Sequence, residues 1–313
     1  MTFDRTGLLL VDKPAGPTSH DVVQAVRRAI RQRRIGHTGT LDPAATGLLV
    51  LCVGKATRLQ QYLLGWEKTY VGEIKLGWGT TTYDTEGEPL SDPRPAPALD
   101  RTLLDGLVAR FSGELDQLPP PYSAKKTGGR KFYELARAGE EVPLEPKRVT
   151  VHRLALGVAA PDVLRFEVTC SSGTYVRSLA HDIGAVLECG GHLGSLRRTR
   201  IGPWTVERST AAEVLANRPD QMVPESFISL RELALPFPEV TLNPTAMSHF
   251  AHGQDVMVRE ADGDFVPGGT VAVRSRDGDL AGVGAVVTYL PRARTLNLTP
   301  RMVLGALETP AEA

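Results

Sequence analysis

The fold is decided by one stretch, Gly36-His37-Thr38-Gly39-Thr40-Leu41-Asp42-Pro43-Ala44-Ala45-Thr46-Gly47, and by the apolar run that follows it, Leu48-Leu49-Val50-Leu51-Cys52-Val53. The apolar run predicts a buried strand, and the stretch before it predicts a loop fixed to that strand. Loops on rigid scaffolds often carry binding and catalytic groups, and this one holds an imidazole and a carboxylate. By residue type alone, an ordinary turn in which Asp42 caps a backbone amide is the preferred interpretation. The rest of the chain has to decide between the two.

A basic segment precedes this loop. Residues 20–30 space their apolar side chains for one buried face of a helix, and Thr18 or Ser19 can cap its start. Five arginines then fall within eight residues, namely Arg27, Arg28, Arg31, Arg33 and Arg34. Cations near a helix C-terminus are favourable by themselves, but this density also fits a patch that contacts phosphates. The residues leave both interpretations open.

Downstream of the apolar run, the sequence predicts a succession of strands and helices. Alternating apolar residues predict strands over 68–77, 149–156 and 163–169, and a helix is predicted over 99–111. Residues 78–100 are rich in Thr, Gly, Pro and Asp, which predicts an exposed loop. The turn at 171–177 is rich in hydroxyl groups, which predicts a side-chain cap for a helix that continues to about residue 187.

A second basic segment lies between residues 122 and 148. It combines lysines, aromatic residues and a glycine pair, which fits a mobile arm that lies on nucleic acid. A surface loop with aromatic side chains docked on the core is the alternative. Together with the arginines at 197–200, these clusters allow an RNA partner even though the formal net charge is zero.

Composition bounds the class of protein. The chain has 313 residues, of which 42% are hydrophobic and 23% charged, as in ordinary globular proteins. Cys52, Cys170 and Cys189 are widely spaced and form no metal or disulfide framework, which favours a reducing compartment. The N-terminus lacks a signal pattern, and no apolar run reaches the roughly 18 residues needed to span a bilayer. We therefore expect a cytoplasmic protein, without a metal, and a monomer by default.

Two domains are expected. Pro236 and Pro238 mark a boundary, and short alternating strands with Gly-Asp turns recur beyond them. The sequence therefore predicts a larger domain over residues 1–235 and a small β-rich domain over residues 236–313.

Several blocks together resemble the TruB family of tRNA pseudouridine synthases. The resemblance covers most of residues 7–205 and rests on blocks that occur in the family's order: Leu10-Val11-Asp12-Lys13-Pro14, Gly36-His37-Thr38-Gly39-Thr40-Leu41-Asp42-Pro43, Thr46-Gly47, Pro120-Pro121-Tyr122-Ser123-Ala124-Lys125 and Gly173-Thr174-Tyr175-Val176-Arg177. It implies an α+β catalytic domain on a mixed, largely antiparallel sheet flanked by helices. The C-terminal piece is similar, by position and strand pattern, to the PUA-type RNA-binding domain of these enzymes.

The resemblance also implies a reaction and a set of residues. The reaction is conversion of uridine to pseudouridine in the T-loop of tRNA, at position 55 in tRNA numbering, without a cofactor. By motif match, Asp42 is the catalytic aspartate, Tyr70 stacks on the target base and Arg177 pairs with the carboxylate. The other matched positions are expected to bind substrate: His37, which inserts into the RNA, Lys13, Tyr175, Leu196, and Lys125 and Arg130 of a clamping arm at about 122–148.

The chemistry is consistent with these residue types. The C1′–N1 bond must break, the uracil must turn, and C5 must join the sugar, so a carboxylate is needed near the sugar. Asp42 can meet this need as a nucleophile at the sugar or as a base on a route through a glycal. A non-catalytic RNA-binding protein or tRNA-folding chaperone is the competing class, and an RNA-guided relative that works in a ribonucleoprotein is a third. The intact set of Asp42, Tyr70 and Arg177 and the arm at 122–148 favour a stand-alone enzyme that needs no guide RNA or protein partner.

Overall fold

The computed structural model describes residues 5–122, 126–127, 130–132 and 144–304. Within these ranges the α-helices are α1 (Ser19–Ala29), α2 (Gln60–Leu63), α3 (Arg101–Arg110), α4 (Val176–Val186), α5 (Ala212–Asn217) and α6 (Pro244–Ala251). A 3₁₀ helix over Gly54–Leu59 leads into α2. Of the helices in the described part of the chain, none is both long and apolar enough to cross a membrane.

Within the described ranges, the strands form two main sheets and one short two-stranded sheet. The first half of the chain contributes β1 (Gly7–Lys13), β2 (Ile35–His37), β3 (Thr46–Val53), β4 (Lys68–Leu76), β5 (Gly113–Gln117), β6 (Lys126–Thr127), β7 (Arg130–Lys131) and β8 (Lys147–Ala160). The second half contributes β9 (Val163–Cys170), β10 (Gly191–Ile201), β11 (Trp204–Thr205), β12 (Thr210–Ala211), β13 (Phe227–Ser229), β14 (Glu239–Thr241), β15 (Val256–Val258), β16 (Thr270–Arg274), β17 (Leu280–Leu290) and β18 (Thr295–Val303).

The large sheet has the strand order β12-β1-β3-β10-β4-β9-β8-β5, with β2, β11 and β13 attached to β3, β10 and β1. The pairs β1–β12 and β3–β10 are parallel, and the other pairs in this sheet are antiparallel. The prediction of an α+β fold on a mixed, largely antiparallel sheet is therefore confirmed.

Strand β3 is buried on both faces, which explains why its sequence is continuously apolar rather than alternating. Leu49, Leu51 and Val53 face helices α1 and α5, whereas Leu48 and Val50 face the opposite way. Of the two predicted cap candidates, Thr18 caps helix α1, and it forms a capping box with Asp21. The loop before β3 is thus attached to one of the most deeply buried elements of the protein.

Helix α4 starts differently from the prediction. Tyr175 is its N-cap residue and contributes no side-chain cap, so the expected hydroxyl cap is wrong. The Gln117 side chain takes over this role from the end of β5: Oε1 accepts from the Tyr175 amide at 2.7 Å, and Nε2 donates to the Tyr175 carbonyl at 3.0 Å. Ser178 Oγ also donates to the Leu118 carbonyl, at 2.7 Å. Strand β5 therefore fixes the first turn of α4.

The second sheet has the order β14-β16-β17-β18-β15 and spans the region beyond residue 238. Its residues Ala272, Leu280, Val283 and Met302 belong to the same apolar cluster as Leu8 of β1. The Arg274 guanidinium also pairs with Glu239 and donates to carbonyls of the segment that joins the two sheets. The small sheet is therefore packed onto the large one.

Gly47 allows the close approach of β3 and β10. Its φ is +99°, and a Cβ added there would overlap the backbone of Arg198, its register partner. Gly47→Ala is therefore expected to lower the free energy of unfolding by about 2 kcal/mol or more in urea denaturation. Gly157→Ala is the matched control, since Gly157 also lies in a strand but faces open space. Equal stability of the two variants would contradict this role for Gly47.

Candidate active site

A cavity of about 590 Å³ opens beside the loop that carries Asp42. This volume lies within the range of small-molecule and cofactor sites in proteins. Most of the walls come from the Asp42 loop, β4, the start of α4 and β10, and the lining residues are Thr38, Gly39, Thr40, Leu41, Asp42, Leu64, Lys68, Tyr70, Pro119, Lys147, Ser172, Gly173, Thr174, Tyr175, Val176, Arg177, Leu196 and Arg198. Of the predicted site residues, Asp42, Tyr70, Tyr175, Arg177 and Leu196 share this cavity.

Buried polar side chains hold the Asp42 loop in place. Ser19 Oγ donates to the Leu41 carbonyl at 2.9 Å and accepts from the Leu41 amide at 2.8 Å. Lys13 Nζ donates to the carbonyls of Pro14, Pro43 and Ala45 at 2.9, 3.1 and 2.7 Å. The loop is therefore fixed on both sides of its carboxylate.

The expectation that Lys13 binds substrate is wrong. Its side chain is completely buried, and its three hydrogen bonds saturate the ammonium with backbone carbonyls. Burial lowers the pKa of Lys13, with the Asp42 carboxylate opposing that effect. Lys13 is a positioning residue for the loop rather than a group that faces the RNA.

Arg198 holds the same loop from β10. Its Nε donates to the Leu48 carbonyl at 2.7 Å, Nη2 to the Gly39 carbonyl at 3.0 Å, and Nη1 to the Thr40 carbonyl at 3.4 Å. The side chain is only 1% exposed. The prediction that arginines 197–200 form a phosphate patch is thus wrong for Arg198, and Arg197 is engaged in a bidentate pair with Asp12 at 3.0 and 2.8 Å.

Arg177 projects from the first turn of α4 and binds two carboxylates. Its Nε lies 3.1 Å from Asp42 Oδ2, and its Nη1 lies 3.3 Å from Asp84 Oδ2. Nη1 also donates to the Thr82 carbonyl at 3.0 Å, and Nη2 to the Tyr122 carbonyl at 3.1 Å. The guanidinium is buried, whereas the Asp42 side chain remains 45% exposed. Asp42 is therefore oriented from one side and open on the other.

Asp84 was not among the predicted site residues. It lies within residues 78–100, which were expected to form an exposed loop, yet it is 9% exposed. Asp84 Oδ1 accepts from the Glu86 amide at 3.0 Å, and Thr80 Oγ1 donates to the Asp84 carbonyl at 2.7 Å. The composition of the segment gave no signal of this burial, because Thr and Asp are typical of exposed turns as well.

Tyr70 forms one wall of the cavity from β4. Its side chain is largely buried, and the Arg198 guanidinium lies 6.0 Å from the centre of its ring. Burial raises the pKa of the Tyr70 hydroxyl, and the nearby Arg198 only partly offsets this. The hydroxyl is therefore protonated at neutral pH and can donate a hydrogen bond, while the ring offers a flat apolar face.

Lys68 is a second residue that the sequence did not single out. It lies two positions before Tyr70 on β4, so both side chains point to the same face of the sheet. Its ammonium donates to the Leu64 carbonyl at 3.1 Å and to the Trp66 carbonyl at 2.7 Å. Burial, with a further contribution from Arg198, lowers the pKa of Lys68 to about 8.

The remaining predicted residues are placed less decisively. His37 ends β2, and its Nδ1 accepts from the Gly39 amide at 3.4 Å; the described lining of the cavity includes Gly39 but not His37. Burial lowers the pKa of His37. Lys125 lies outside the described residues, and of Arg130 only the backbone is described, in β7. Their roles stay predictions.

The arrangement supports chemistry at a carboxylate without a built metal site. Among the described residues, no group of three or more His, Cys, Asp or Glu side chains is placed to hold a metal ion. What the cavity offers is one half-exposed carboxylate, a flat aromatic ring and several cationic groups around them. This set can bind a flat, electron-poor ring and present an oxygen nucleophile or base beside it.

Comparison with known proteins decides the family. Residues 27–176 match the model of the TruB family pseudouridylate synthase N-terminal domain, and residues 177–240 match that of the tRNA pseudouridylate synthase B C-terminal domain. The tRNA pseudouridine synthase B of Cupriavidus pinatubonensis is 45% identical over 83% of this chain and 83% of its own length. The protein of that name from Thermobifida fusca is 51% identical over 67% of this chain and 74% of its own.

The chain belongs to the TruB family. It is thus an enzyme of the pseudouridine synthase class, as the sequence motifs predict. Among solved structures, one titled as a Cbf5-Nop10-Gar1 complex matches 95% of this chain and 84% of the other, with a TM-score of 0.73 and 26% identity. A structure titled as an H/ACA RNP bound to a substrate RNA has a TM-score of 0.72 at 24% identity, which shows the shared fold.

The low pKa of Lys68 gives a pH-dependent prediction for this TruB protein. Between about pH 8 and 10.5 the folded protein has lost the Lys68 proton while the unfolded chain keeps it, so stability gained from this group rises with pH. We therefore compare the free energy of unfolding of wild type and Lys68→Met in urea at pH 7 and at pH 9.5. The change from pH 7 to pH 9.5 should favour wild type over the variant by about 1–2 kcal/mol. Lys75→Met, on the exposed side of β4, is the control. If the stability difference between wild type and Lys68→Met does not change with pH, the lowered pKa of Lys68 would be contradicted.

The Asp84–Arg177 pair gives a second prediction. Asp84→Asn removes one of the two carboxylates on Arg177 and frees the guanidinium to shift away from Asp42. We expect kcat for pseudouridine formation to fall about tenfold or more, since small displacements in an active site are costly. Glu86→Gln, on the same loop but exposed, is the control. A kcat for Asp84→Asn equal to that of the control would show that Asp42 is oriented without Asp84.

Proposed function

We propose that this TruB-family enzyme converts uridine to pseudouridine in the T-loop of tRNA, at position 55. The observation that carries this proposal is the half-exposed Asp42 carboxylate, held by the buried Arg177 in a cavity that also contains Tyr70. The relatives named tRNA pseudouridine synthase B, 43–51% identical to this chain, support tRNA as the substrate. The T-loop site rests on the motif resemblance.

Asp42 is the catalytic carboxylate in this proposal. The C1′–N1 bond breaks with its electron pair leaving on uracil, the detached base turns, and C5 bonds to C1′. The proton lost from C5 balances the one gained at N1, so the product is an isomer of the substrate. On one route Asp42 attacks C1′, and the resulting ester bond breaks when C5 bonds to C1′. On the glycal route Asp42 removes a proton from C2′, and that proton returns to C2′ when C5 bonds to C1′. Both routes need the open carboxylate oxygen.

The cavity walls suit an anionic, detached base. Lys68, Lys147, Arg177 and Arg198 all line the cavity. Their positive potential stabilises the negative charge that develops on uracil as the glycosidic bond breaks, without a second carboxylic acid. Tyr70 stacks on the base and, being neutral, donates or relays a proton through its hydroxyl.

The target nucleotide must leave the folded T-loop to reach Asp42. We propose that His37 inserts into the RNA at the place the nucleotide vacates, and that the arm at about 122–148, with Lys125 and Arg130, clamps the loop. At the end of α1, Arg28, Arg31 and Arg33 are exposed around a shallow cavity that Arg27 also lines. This group suits phosphate contacts better than the arginines of β10, which are engaged within the protein.

The catalytic domain in this proposal spans residues 1–235, and residues 236–313 form a PUA-like domain that binds RNA. The five-stranded sheet that begins at β14 supports this division, although its core is continuous with that of the large sheet. We further propose that the protein acts in the cytoplasm as a monomer, which its buried, free cysteines and tRNA substrate support.

A stand-alone enzyme is the favoured form. The solved structure at 26% identity is titled as a complex with Nop10 and Gar1, whereas the relatives at 43–51% identity are named tRNA pseudouridine synthase B. The greater identity supports a form that needs neither guide RNA nor protein partner. A chaperone without catalytic activity is the competing class, and the oriented Asp42 argues against it.

The proposal is tested with a T-arm stem-loop that carries tritium at uracil C5. The purified protein alone is expected to release tritium, because C5 exchanges its hydrogen for the sugar bond. Asp42→Asn is expected to abolish release while binding the RNA within about threefold of wild type in filter binding, since only one carboxylate of the cavity is neutralised. No release by wild type without added guide RNA or proteins would refute the stand-alone enzyme. Lost binding in Asp42→Asn would assign Asp42 a structural role instead.

A further inference from the structure

Residues 82–84 contact helix α4 at two points. Thr82 and Asp84 both bind Arg177, through a carbonyl at 3.0 Å and a carboxylate at 3.3 Å. Between them, the Tyr83 ring stacks on His181, with ring centroids 3.9 Å apart and planes 10° apart. Arg177 and His181 are four residues apart and therefore lie on the same face of α4. Three consecutive residues, 82–84, thus contact one face of α4 over one full helical turn.

The backbone of Tyr83 adopts a strained conformation that allows residues 82–84 to contact both Arg177 and His181. Its φ is +64°, in the left-handed region that a bulky residue seldom occupies and that costs about 1–3 kcal/mol. Neighbouring bonds hold it there: the Leu193 amide donates to the Tyr83 carbonyl at 3.0 Å, and Thr80 Oγ1 donates to the Asp84 carbonyl. A glycine would adopt this conformation freely, so the tyrosine ring must serve a purpose that offsets the strain.

The stack is a contact between two uncharged rings. Burial lowers the pKa of His181, so its imidazole is neutral at pH 7. Its Nδ1 is buried and has no hydrogen-bond partner among the described residues. The imidazole therefore meets Tyr83 through its flat face, as a neutral ring whose Nδ1 makes no hydrogen bond within the described structure.

We propose that the Tyr83–His181 stack is a positioning device for the pseudouridine synthase reaction. By fixing residues 82–84 against α4, the stack keeps Asp84 and the Thr82 carbonyl on Arg177, and Arg177 in turn orients Asp42. Tyr83 and His181 are positioning residues, since neither lines the Asp42 cavity as described. The inference rests on the proposed function, because it assigns these residues to the same catalytic carboxylate.

The test compares two substitutions of His181 in the full-length protein. His181→Ala removes the stacking surface and is expected to lower kcat for tritium release about tenfold, while KM and the Kd for the stem-loop stay within about twofold. His181→Phe keeps a flat ring and is expected to restore kcat to within about threefold of wild type. His152→Ala, on the exposed side of β8, is the control for loss of a histidine elsewhere.

Tyr83→Gly separates the ring from the backbone. It relieves the strain at the left-handed position, so its thermal unfolding midpoint should not fall below that of His181→Ala, yet its kcat should fall to a similar extent. The double variant Tyr83→Gly/His181→Ala should be no slower than either single variant, because both remove the same contact.

Specific results would overturn the inference. They are a wild-type kcat in His181→Ala, a loss of kcat in His181→Phe equal to that in His181→Ala, or a change confined to KM. A wild-type protein that releases no tritium would instead refute the proposed function. If His181→Ala fails to fold, the other two variants still test the inference. It requires a kcat about tenfold below that of wild type in Tyr83→Gly and a kcat within about threefold of wild type in His181→Phe.

Discussion

Two buried cations with hydrogen bonds to one loop fix the active site of this protein. Lys13 and Arg198 are 0% and 1% exposed, and they donate to five carbonyls of residues 39–48 between them. A buried charge without hydrogen bonds costs several kcal/mol, so these carbonyls are obliged to point inward. Once they do, the loop has little freedom left, and the Asp42 side chain is directed outward into the cavity. The carboxylate is thus positioned by two buried charges that bind the backbone of its loop.

The second constraint is the register of the large sheet. Strand β10 runs parallel to β3 with Arg198 beside Gly47, and antiparallel to β4 with Arg198 beside Tyr70. A shift of one residue would turn Arg198 away from the loop and place Arg197 or Thr199 there instead. The glycine at position 47 allows the two backbones to approach closely enough for this register. Groups more than a hundred residues apart in the chain therefore meet because one pairing pattern is enforced.

The sequence predicts the elements of this site better than their contacts. The apolar run of β3, the Thr18 cap and the family motif around Asp42 were all accessible, since each depends on residues adjacent in the chain. Lys13 and Arg198 were wrongly predicted to face the RNA. The local sequence, a lysine beside a proline or an arginine among arginines, does not distinguish a buried side chain from an exposed one. Asp84 could not be found for a related reason: its burial depends on a bridge to Leu193, more than a hundred residues away. The hydrophobic periodicity of a segment predicts its local structure, but it does not predict ion pairs with residues that are distant in the chain.

The charge balance of the cavity links its architecture to its chemistry. Four cationic side chains line it in the described structure, against the single carboxylate of Asp42. Three of the four, Lys68, Arg177 and Arg198, donate hydrogen bonds to backbone carbonyls of the protein, so the protein itself holds them in place. Preorganised cations of this kind do not have to rearrange when negative charge moves from the glycosidic bond onto uracil. In the proposed mechanism, the same groups that shape the Asp42 loop and orient its carboxylate therefore also supply positive potential for the detached base.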